Sequence, residues 1–123
     1  MSSQQPKNER LPKNEILRGK KCFETVFSGG DVVFGKIMSI RFIKAEDRRA
    51  AFAVSKKAGN AVKRNRIKRL LREIYRKNRQ QIGNFWIVFI VSRKQDRINF
   101  TSLQEEFLHL ILRAELVIEK ERS

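Results

Sequence analysis

The sequence contains one cysteine and one histidine, and its basic residues outnumber its acidic residues by more than two to one. A single cysteine, Cys22, excludes an intramolecular disulfide and is typical of a reducing compartment. The longest apolar run, Phe85–Val91, is too short to span a bilayer. The first nine residues are polar and lack the apolar stretch of a secretory signal. We therefore expect a cytoplasmic protein without a membrane partner.

Residue types that usually carry catalysis or bind metals are equally scarce. His109 lies in an apolar helical run, no cysteine–histidine cluster has metal-ligand spacing, and no nucleotide-binding glycine motif occurs. Glu105 and Glu106 are adjacent, so on a helix they point in different directions; near a helix start, acidic residues favour the dipole. We expect structural roles for these three side chains, and neither a protein-borne metal site nor an organic cofactor.

The chain does have enough apolar residues for a folded domain and a large excess of positive charge. Its 123 residues are 41% hydrophobic, which suits one domain with a modest core. The formal net charge is +15, and a surface of that density favours a polyanionic partner.

Apolar periodicity predicts the secondary structure. Residues 1–13 contain both prolines and are predicted to be a flexible polar tail, followed by a single domain over 14–120. In strand 37–42, Met38, Ile40 and Phe42 are expected to face the core. Ser102 and Glu105 match a capping box for the last helix. The pattern predicts helices over 14–27, from about 60 to before Gly83 and over 101–119, and strands over 32–34, 37–42, 50–55 and 85–91. This order suggests a small α/β sandwich.

The positive charge is concentrated in one segment. Lys56–Arg79 contains eleven basic residues and one acidic residue, so a fifth of the chain holds +10 of the net +15. Projected as a helix, the cations lie on an arc opposite the apolar stripe. Because like charges at helical spacing repel, an uncompensated arc favours a surface that faces phosphates; a generic solubilising face is the alternative. The arc comprises Arg64, Lys68, Arg69, Arg72, Arg76 and Arg79, opposite Ile67, Leu70 and Ile74.

The residue types within this segment suit nucleic acid. Arginine grips phosphate with a planar donor fork and can stack on a base, whereas lysine is a point charge. Gly59, just before the helix, lets backbone N–H groups approach a phosphate at the helix N-terminus. Asn65 lies between two arginines, where it could fix the local geometry, bind RNA or do both.

The segment Ala61–Glu73, AVKRNRIKRLLRE, resembles the signature of the bacterial ribonuclease P protein family, which centres on R-N-R followed by K-R and R-E. Its upstream flank, Ser55–Val62, also matches without a gap. Further matches are Arg10-Leu11, Leu17-Arg18, the F-x-x-V-F-x-x-G pattern of Phe23–Gly30, and Ser92-Arg93. The resemblance covers roughly residues 10–115.

This resemblance implies an α+β fold with the order α-β-β-β-α-β-α, in which a left-handed β-α-β crossover carries the basic helix, against the general right-handed rule. It also implies a protein that assists a catalytic RNA in removing the 5′ leader of precursor tRNA. The expected partners are that RNA and precursor tRNA, with no DNA. Magnesium is expected in the holoenzyme, bound mainly by the RNA, which performs the hydrolysis.

The resemblance assigns residues to two kinds of RNA contact. Phe23 and Phe27 correspond to aromatics that line a central cleft for the single-stranded leader, although the pair could instead be core, or one ring buried. Ala51 and Ala53 would form the cleft floor, or could simply lie under another element. The contacts implied for the catalytic RNA are Lys56, Lys57, Asn60, Arg64, Asn65, Arg66, Lys68, Arg69 and Arg72; those for the leader are Phe23, Phe27, Lys36, Ser39 and Arg41.

Two positions depart from the family pattern. Arg41 stands where some members carry an aromatic residue, so stacking there would become guanidinium stacking or phosphate pairing. Cys22 replaces a commonly acidic residue, with no evident functional consequence.

Three other classes of protein share parts of this pattern. A basic ribosomal protein has similar size and charge with a purely structural RNA contact, and it is the main alternative. A helix–turn–helix regulator would need a compact helical trio around the basic helix, whereas strands flank it here. A membrane-surface helix would need its large apolar residues free to insert, but Ile67, Leu70, Leu71 and Ile74 suit the core better.

Overall fold

The computed structural model describes residues 11–92 and 98–118. Within these residues the order α-β-β-β-α-β-α and the α+β class are confirmed, with short 3-10 turns at Lys13–Glu15, Lys56–Ala58 and Arg79–Gln81. The helices are α1 (Lys20–Gly29), α2 (Ala61–Asn78) and α3 (Phe100–Arg113); the strands are β1 (Asp31–Phe34), β2 (Ser39–Lys44), β3 (Arg49–Val54) and β4 (Phe85–Val91).

The four strands form one mixed sheet in the order β1-β2-β4-β3. β1 pairs antiparallel with β2, and β2 pairs antiparallel with β4. β3 and β4 are parallel, so a crossover must join them, and α2 supplies it. The basic helix is therefore the crossover helix of a β-α-β unit, as the resemblance implies; the left-handed sense of that crossover stays a prediction.

The strand register gives the sheet two different faces. Ile40 and Phe89 are cross-strand partners on the face that packs against α2 and α3 in the main core. Val88 and Ala51 are partners on the opposite face, where a smaller core includes Val26 of α1. Since successive strand residues alternate between faces, α1 and α2 lie on opposite sides of the sheet. This separation determines which functional residues can share a surface.

The main core is built around aromatic rings in contact with one another. The ring centroids of Phe89 and Phe107 are 4.9 Å apart, and those of Phe89 and Tyr75 are 6.0 Å apart. The predicted core positions Met38 and Ile40 are buried, and Phe42 packs half-buried against them. Truncating one such buried ring typically costs about 3–5 kcal/mol.

The first helix begins six residues later than predicted, so the expectation of a helix from residue 14 is wrong. After the 3-10 turn the chain is extended: Ile16 bridges to Ala50, and the Leu17 N–H donates to the Ala50 carbonyl at 2.9 Å. Gly19 then adopts φ +90°, a backbone conformation that favours glycine, and α1 starts at the next residue, Lys20.

Leu11 is buried in the main core, so the packed domain begins before residue 14. Residues 1–10 of the predicted tail lie outside the described chain.

The second strand begins two residues later than predicted, at Ser39. Ile37 and Met38 instead belong to the turn between β1 and β2, because both of their N–H groups donate to the carboxylate of Glu106 on α3. Glu106 thus has a structural role, as expected. Glu105 and His109 are exposed on the same helix.

The ends of α3 also differ from the prediction. Its N-cap is Asn99, whose side chain accepts a hydrogen bond from the Ser102 N–H at 2.8 Å, so the proposed capping box at Ser102 is wrong. The helix ends at Arg113, and Glu115 with φ +61° turns the chain away. Among the described residues, no helix has both the length and the apolar character needed to cross a membrane.

Candidate RNA-binding surfaces

The basic helix α2 starts from a structured turn. The Ser55 side chain accepts a hydrogen bond from the Lys57 N–H, and its hydroxyl donates to the Ser92 carbonyl at 3.1 Å. Gly59 has φ +152°, a conformation that side-chain-bearing residues rarely adopt, and so allows the turn. The Asn60 side chain then caps α2 by accepting from the Lys63 N–H at 2.9 Å. Asn60 therefore has a structural function in addition to the RNA contact predicted for it.

The nine residues predicted to contact the catalytic RNA all lie on this turn and on the first twelve residues of α2. We call this surface the α2 patch. Most of its side chains are exposed, and the half-buried ones are Arg64 and Lys68. The Arg64 guanidinium donates to the Gly59 carbonyl and that of Arg66 to the Ile98 carbonyl, both at 3.3 Å. The α2 patch consists of Lys56, Lys57, Asn60, Arg64, Asn65, Arg66, Lys68, Arg69 and Arg72.

Negative charge on α2 neutralises only its C-terminal part. Glu73 lies 3.8 Å from the Arg76 guanidinium and 3.7 Å from the Lys77 ammonium. Arg72, at the end of the α2 patch, lies 5.9 Å from the ring centroid of half-buried Phe52 on β3. Such a cation–π contact restricts the guanidinium without removing its charge. The α2 patch thus keeps its positive charge. Phe52 on the sheet orients one of its arginines, Arg72.

Arg79 does not belong to the exposed cationic arc, contrary to the prediction. Its guanidinium forms an ion pair with Glu15, and the Arg48 guanidinium binds the same carboxylate with two hydrogen bonds of 3.2 Å. Burial alone would raise the pKa of Glu15, but hydrogen bonds from Arg79 and Arg48 outweigh it and hold that pKa below its usual value. The Arg48 guanidinium also donates to the Arg79 and Ile82 carbonyls. The cluster joins the N-terminal segment to the end of α2.

The opposite face of the sheet carries the predicted leader residues. Ser39 and Arg41 of β2 project to the side on which α1 packs, because their register partners are Ile90 and Val88. Ala51 is half-buried on this face, and Ala53 is exposed. The structure therefore supports a shallow floor beside α1 rather than a fully covered layer. We call this surface the α1 cleft.

The two phenylalanines of α1 differ in their surroundings. Phe23 packs half-buried against the smaller core, whereas Phe27 is 43% exposed. Their ring centroids are 6.5 Å apart with an interplanar angle of 21°. The Arg41 guanidinium lies 5.0 Å from the Phe27 centroid. One ring is thus largely core, and the other, paired with Arg41, is accessible to a ligand.

The turn between β1 and β2 and the last residue of β1 complete this surface, and that last residue, Phe34, was not predicted from the sequence. Lys36 is exposed on the turn, in line with its predicted role. Phe34 is 66% exposed and is the register partner of Ser39, so its ring projects to the α1 side. The i, i+2 spacing of Val32 and Phe34 in a short strand is the signal that could have identified it.

The predicted RNA contacts therefore form two surfaces, on opposite faces of one sheet. The structure brings Phe27, Arg41 and Ser39 together in the α1 cleft and separates them from α2. Over residues 11–92 and 98–118, no three His, Cys, Asp or Glu side chains are grouped as a metal site.

Comparison with known proteins places this architecture in a family. The ribonuclease P family model matches residues 11–115. The ribonuclease P protein component of Coprothermobacter proteolyticus is 39% identical over 74 residues, which is 60% of this chain and 62% of that protein. That of Alkaliphilus metalliredigens is 33% identical over 110 residues, covering 87% and 99%. The solved ribonuclease P protein from Thermotoga maritima superposes with a TM-score of 0.71 at 32% identity, covering 86% and 99%. This chain therefore belongs to the ribonuclease P protein family.

Proposed function

We propose that this chain is the protein subunit of ribonuclease P, which assists a catalytic RNA in removing the 5′ leader of precursor tRNA. The observation that carries the proposal is the division of RNA-binding chemistry between two faces of one sheet. The α2 patch suits the phosphates of a folded RNA, and the α1 cleft offers an exposed aromatic ring and a half-buried guanidinium plane for unpaired bases. A subunit that joins two RNAs needs two such surfaces.

The α2 patch is proposed to bind the catalytic RNA. Its arginines supply planar donor forks for phosphate oxygens, and the N-terminus of α2 adds a positive helix dipole. The first turn of α2 contains no acidic residue. The patch thus provides affinity without a need to read sequence, as suits an RNA recognised by its folded shape.

The α1 cleft is proposed to bind the leader. Stacking on aromatic rings tolerates every base, which suits a processor of many precursor tRNAs. Phe27 and Arg41 would stack on bases, while Lys36 would pair with a leader phosphate. Ser39 would donate or accept one hydrogen bond at the cleft floor.

Hydrolysis is proposed to take place in the RNA. Magnesium prefers oxygen ligands and keeps several waters, which RNA phosphates accommodate. The protein would bring the substrate to that site and raise its affinity, so no side chain of this chain is assigned to bond cleavage. We place the holoenzyme in the cytoplasm.

The proposal is tested by reconstitution with a bacterial ribonuclease P RNA at low magnesium concentration, measuring 5′ cleavage of precursor tRNA. We expect the chain to stimulate cleavage at a magnesium concentration where the RNA alone is slow. The matched control is the double variant Arg69→Gln, Arg72→Gln, which should stimulate less because its α2 patch is weakened. Binding to RNA without any stimulation would instead favour the ribosomal alternative.

A further inference from the structure

The turn between β1 and β2 is held by a carboxylate from a different layer of the fold. A single oxygen of Glu106 on α3, Oε2, accepts hydrogen bonds from the Ile37 N–H at 2.6 Å and the Met38 N–H at 2.8 Å. Bonds from N–H groups to an ionised carboxylate are stronger than those between neutral groups. Met38 is also buried in the main core. α3 therefore holds the backbone of the turn in place through Glu106.

Two further hydrogen bonds close this turn. The Gly35 N–H donates to the Met38 carbonyl at 2.8 Å, and the Arg113 guanidinium donates to the Phe34 carbonyl at 3.1 Å. A Cβ atom at Gly35 would lie 2.4 Å from Glu106 Oε2 and 2.9 Å from the Met38 carbonyl oxygen, so a side chain here would displace the carboxylate or the turn backbone. The backbone of the turn and the side chain of Glu106 thus fit each other closely.

The turn carries side chains of the α1 cleft. Lys36 stands exposed at its tip, and Phe34 and Ser39 flank it as a cross-strand pair that projects to the α1 side. Glu106 itself is half-buried on the α3 side and has its carboxylate directed at the turn backbone. Its contacts therefore act on the cleft only through the backbone that presents these three side chains.

We propose that Glu106 is a positioning residue for leader binding: it orders the β1–β2 turn so that Lys36, Phe34 and Ser39 meet the leader already oriented. This inference rests on the proposed function of the α1 cleft. A loose turn would have to be ordered when the leader binds, and that loss of conformational entropy would weaken affinity. The leader, as single-stranded nucleic acid, would gain one phosphate contact from Lys36 and one stacking contact from Phe34.

Simple electrostatics predicts the opposite effect of removing Glu106. Loss of a negative charge from a protein that binds RNA should strengthen binding at every RNA surface. The positioning role instead predicts weaker binding, restricted to RNA that carries a leader. Glu105 provides a matched control, because it is the adjacent glutamate of α3 and is exposed.

The test measures the affinity of the reconstituted holoenzyme for precursor tRNA and for mature tRNA. We expect Glu106→Ala to weaken precursor binding about tenfold, in the range for losing hydrogen bonds to a charged group, and to leave mature tRNA binding unchanged. Glu106→Gln should retain most of the affinity, because one amide oxygen can accept both N–H donors. Glu105→Ala should leave both affinities unchanged or slightly raised.

A double-mutant cycle identifies the route of the effect. If Glu106 acts through the turn, Lys36→Ala should cost much less in the Glu106→Ala background than in the unchanged protein, whereas Phe27→Ala, on α1, should cost about the same in both. Additive losses for Glu106 and Lys36 would overturn the proposal. Gly35→Ala is a second variant that should also weaken leader binding, because its Cβ would displace the Glu106 carboxylate and press on the Met38 carbonyl of the turn.

The two hypotheses fail in different ways. Equal affinity of the unchanged holoenzyme for precursor and mature tRNA would contradict the proposed cleft function itself. A normal leader preference that survives unaltered in both Glu106→Ala and Gly35→Ala would leave the cleft function in place and overturn the role of Glu106.

Discussion

The guanidinium of Arg41 lies 5.0 Å from the ring centroid of Phe27, at the open side of the α1 cleft. The two residues come from different elements, β2 and the end of α1; Phe27 is exposed and Arg41 is half-buried. The guanidinium lies over the ring, so the cation and the aromatic plane form a cation–π pair. An unpaired base can stack on either plane while its phosphate meets the positive charge.

We expect Phe27→Ala to weaken holoenzyme binding to precursor tRNA by about 1–3 kcal/mol, the usual range for one base stacked on an aromatic ring. Binding to mature tRNA should barely change, since it lacks the leader. Phe27 is a cleaner test than Phe23, whose half-buried ring also supports the smaller core. Equal losses on both RNAs would rule out the cleft assignment.

Arg41→Lys tests whether the planar guanidinium matters. Lysine keeps the charge but cannot stack as a plane. If Arg41 stacks on a leader base, Arg41→Lys should lose much of the leader-dependent affinity; if it only pairs with a phosphate, that affinity should be largely kept. The measurement is the ratio of precursor to mature tRNA affinity at two salt concentrations.

Arg69→Gln tests the α2 patch. Arg69 is exposed and, among the described residues, has no ion pair or hydrogen bond within the protein, so its loss should not disturb the fold. We expect weaker binding to the catalytic RNA and a reduction of about 1 in the slope of log affinity against log salt, as for one lost phosphate contact. Lys44→Gln, an equal charge change on β2, is the control. Identical slopes for the two variants would mean that α2 only adds general charge.

The helices and strands that local periodicity defines could be predicted, whereas elements set by distant partners could not. The apolar stripe of α2 and the alternation of β2 follow from neighbouring residues. The late start of α1 depends on the pairing of Ile16 and Leu17 with Ala50 of β3, which is distant in the chain. The start of β2 depends on Glu106, 69 residues from Ile37. A single sequence contains no periodic signal for such pairs.

The candidate site shows the same distinction. The cations of α2 are contiguous in sequence, so their common surface could be predicted from helical spacing. The pairing of Arg41 with Phe27 depends on how α1 lies across the sheet, which no local pattern determines. Arg79 matched the cationic arc by spacing alone, yet the tertiary fold pairs it with Glu15.

Asn60 has two assigned roles, and substitutions can separate them. Asn60→Ala removes the cap of α2 and should lower the free energy of unfolding by about 1 kcal/mol. Asn60→Ser keeps a capping oxygen and should retain most of that stability. If the Asn60 amide also contacts RNA, Asn60→Ser will bind the catalytic RNA more weakly despite normal stability. Denaturant unfolding measures the stability of both variants, and titration with the catalytic RNA measures their affinity. Equal RNA affinity in Asn60→Ser and the unchanged protein would mean that Asn60 acts only as the cap of α2.

Glu15 should make the stability of the fold depend on acid pH. Its pKa is held below the usual value in the folded protein, because the hydrogen bonds from Arg79 and Arg48 outweigh the opposing effect of burial. A carboxyl group with a lowered folded pKa contributes stability above its unfolded pKa of about 4.3, and that contribution is lost as the pH falls through the folded pKa. Stability should therefore decline on acidification below about pH 5.

The variant Glu15→Gln isolates this contribution. At pH 7 it should lower the free energy of unfolding by about 1–3 kcal/mol, because two part-buried guanidinium groups lose their anion. The difference from the unchanged protein should shrink as the pH falls below the unfolded pKa of about 4.3, because the unfolded chain then takes up a proton that the folded carboxylate binds less readily. Glu24→Gln, the same change at an exposed position on α1, is the control. Urea unfolding at several pH values measures the effect, and a deficit that stays constant from pH 7 to pH 3 would show that the carboxylate charge is not its source.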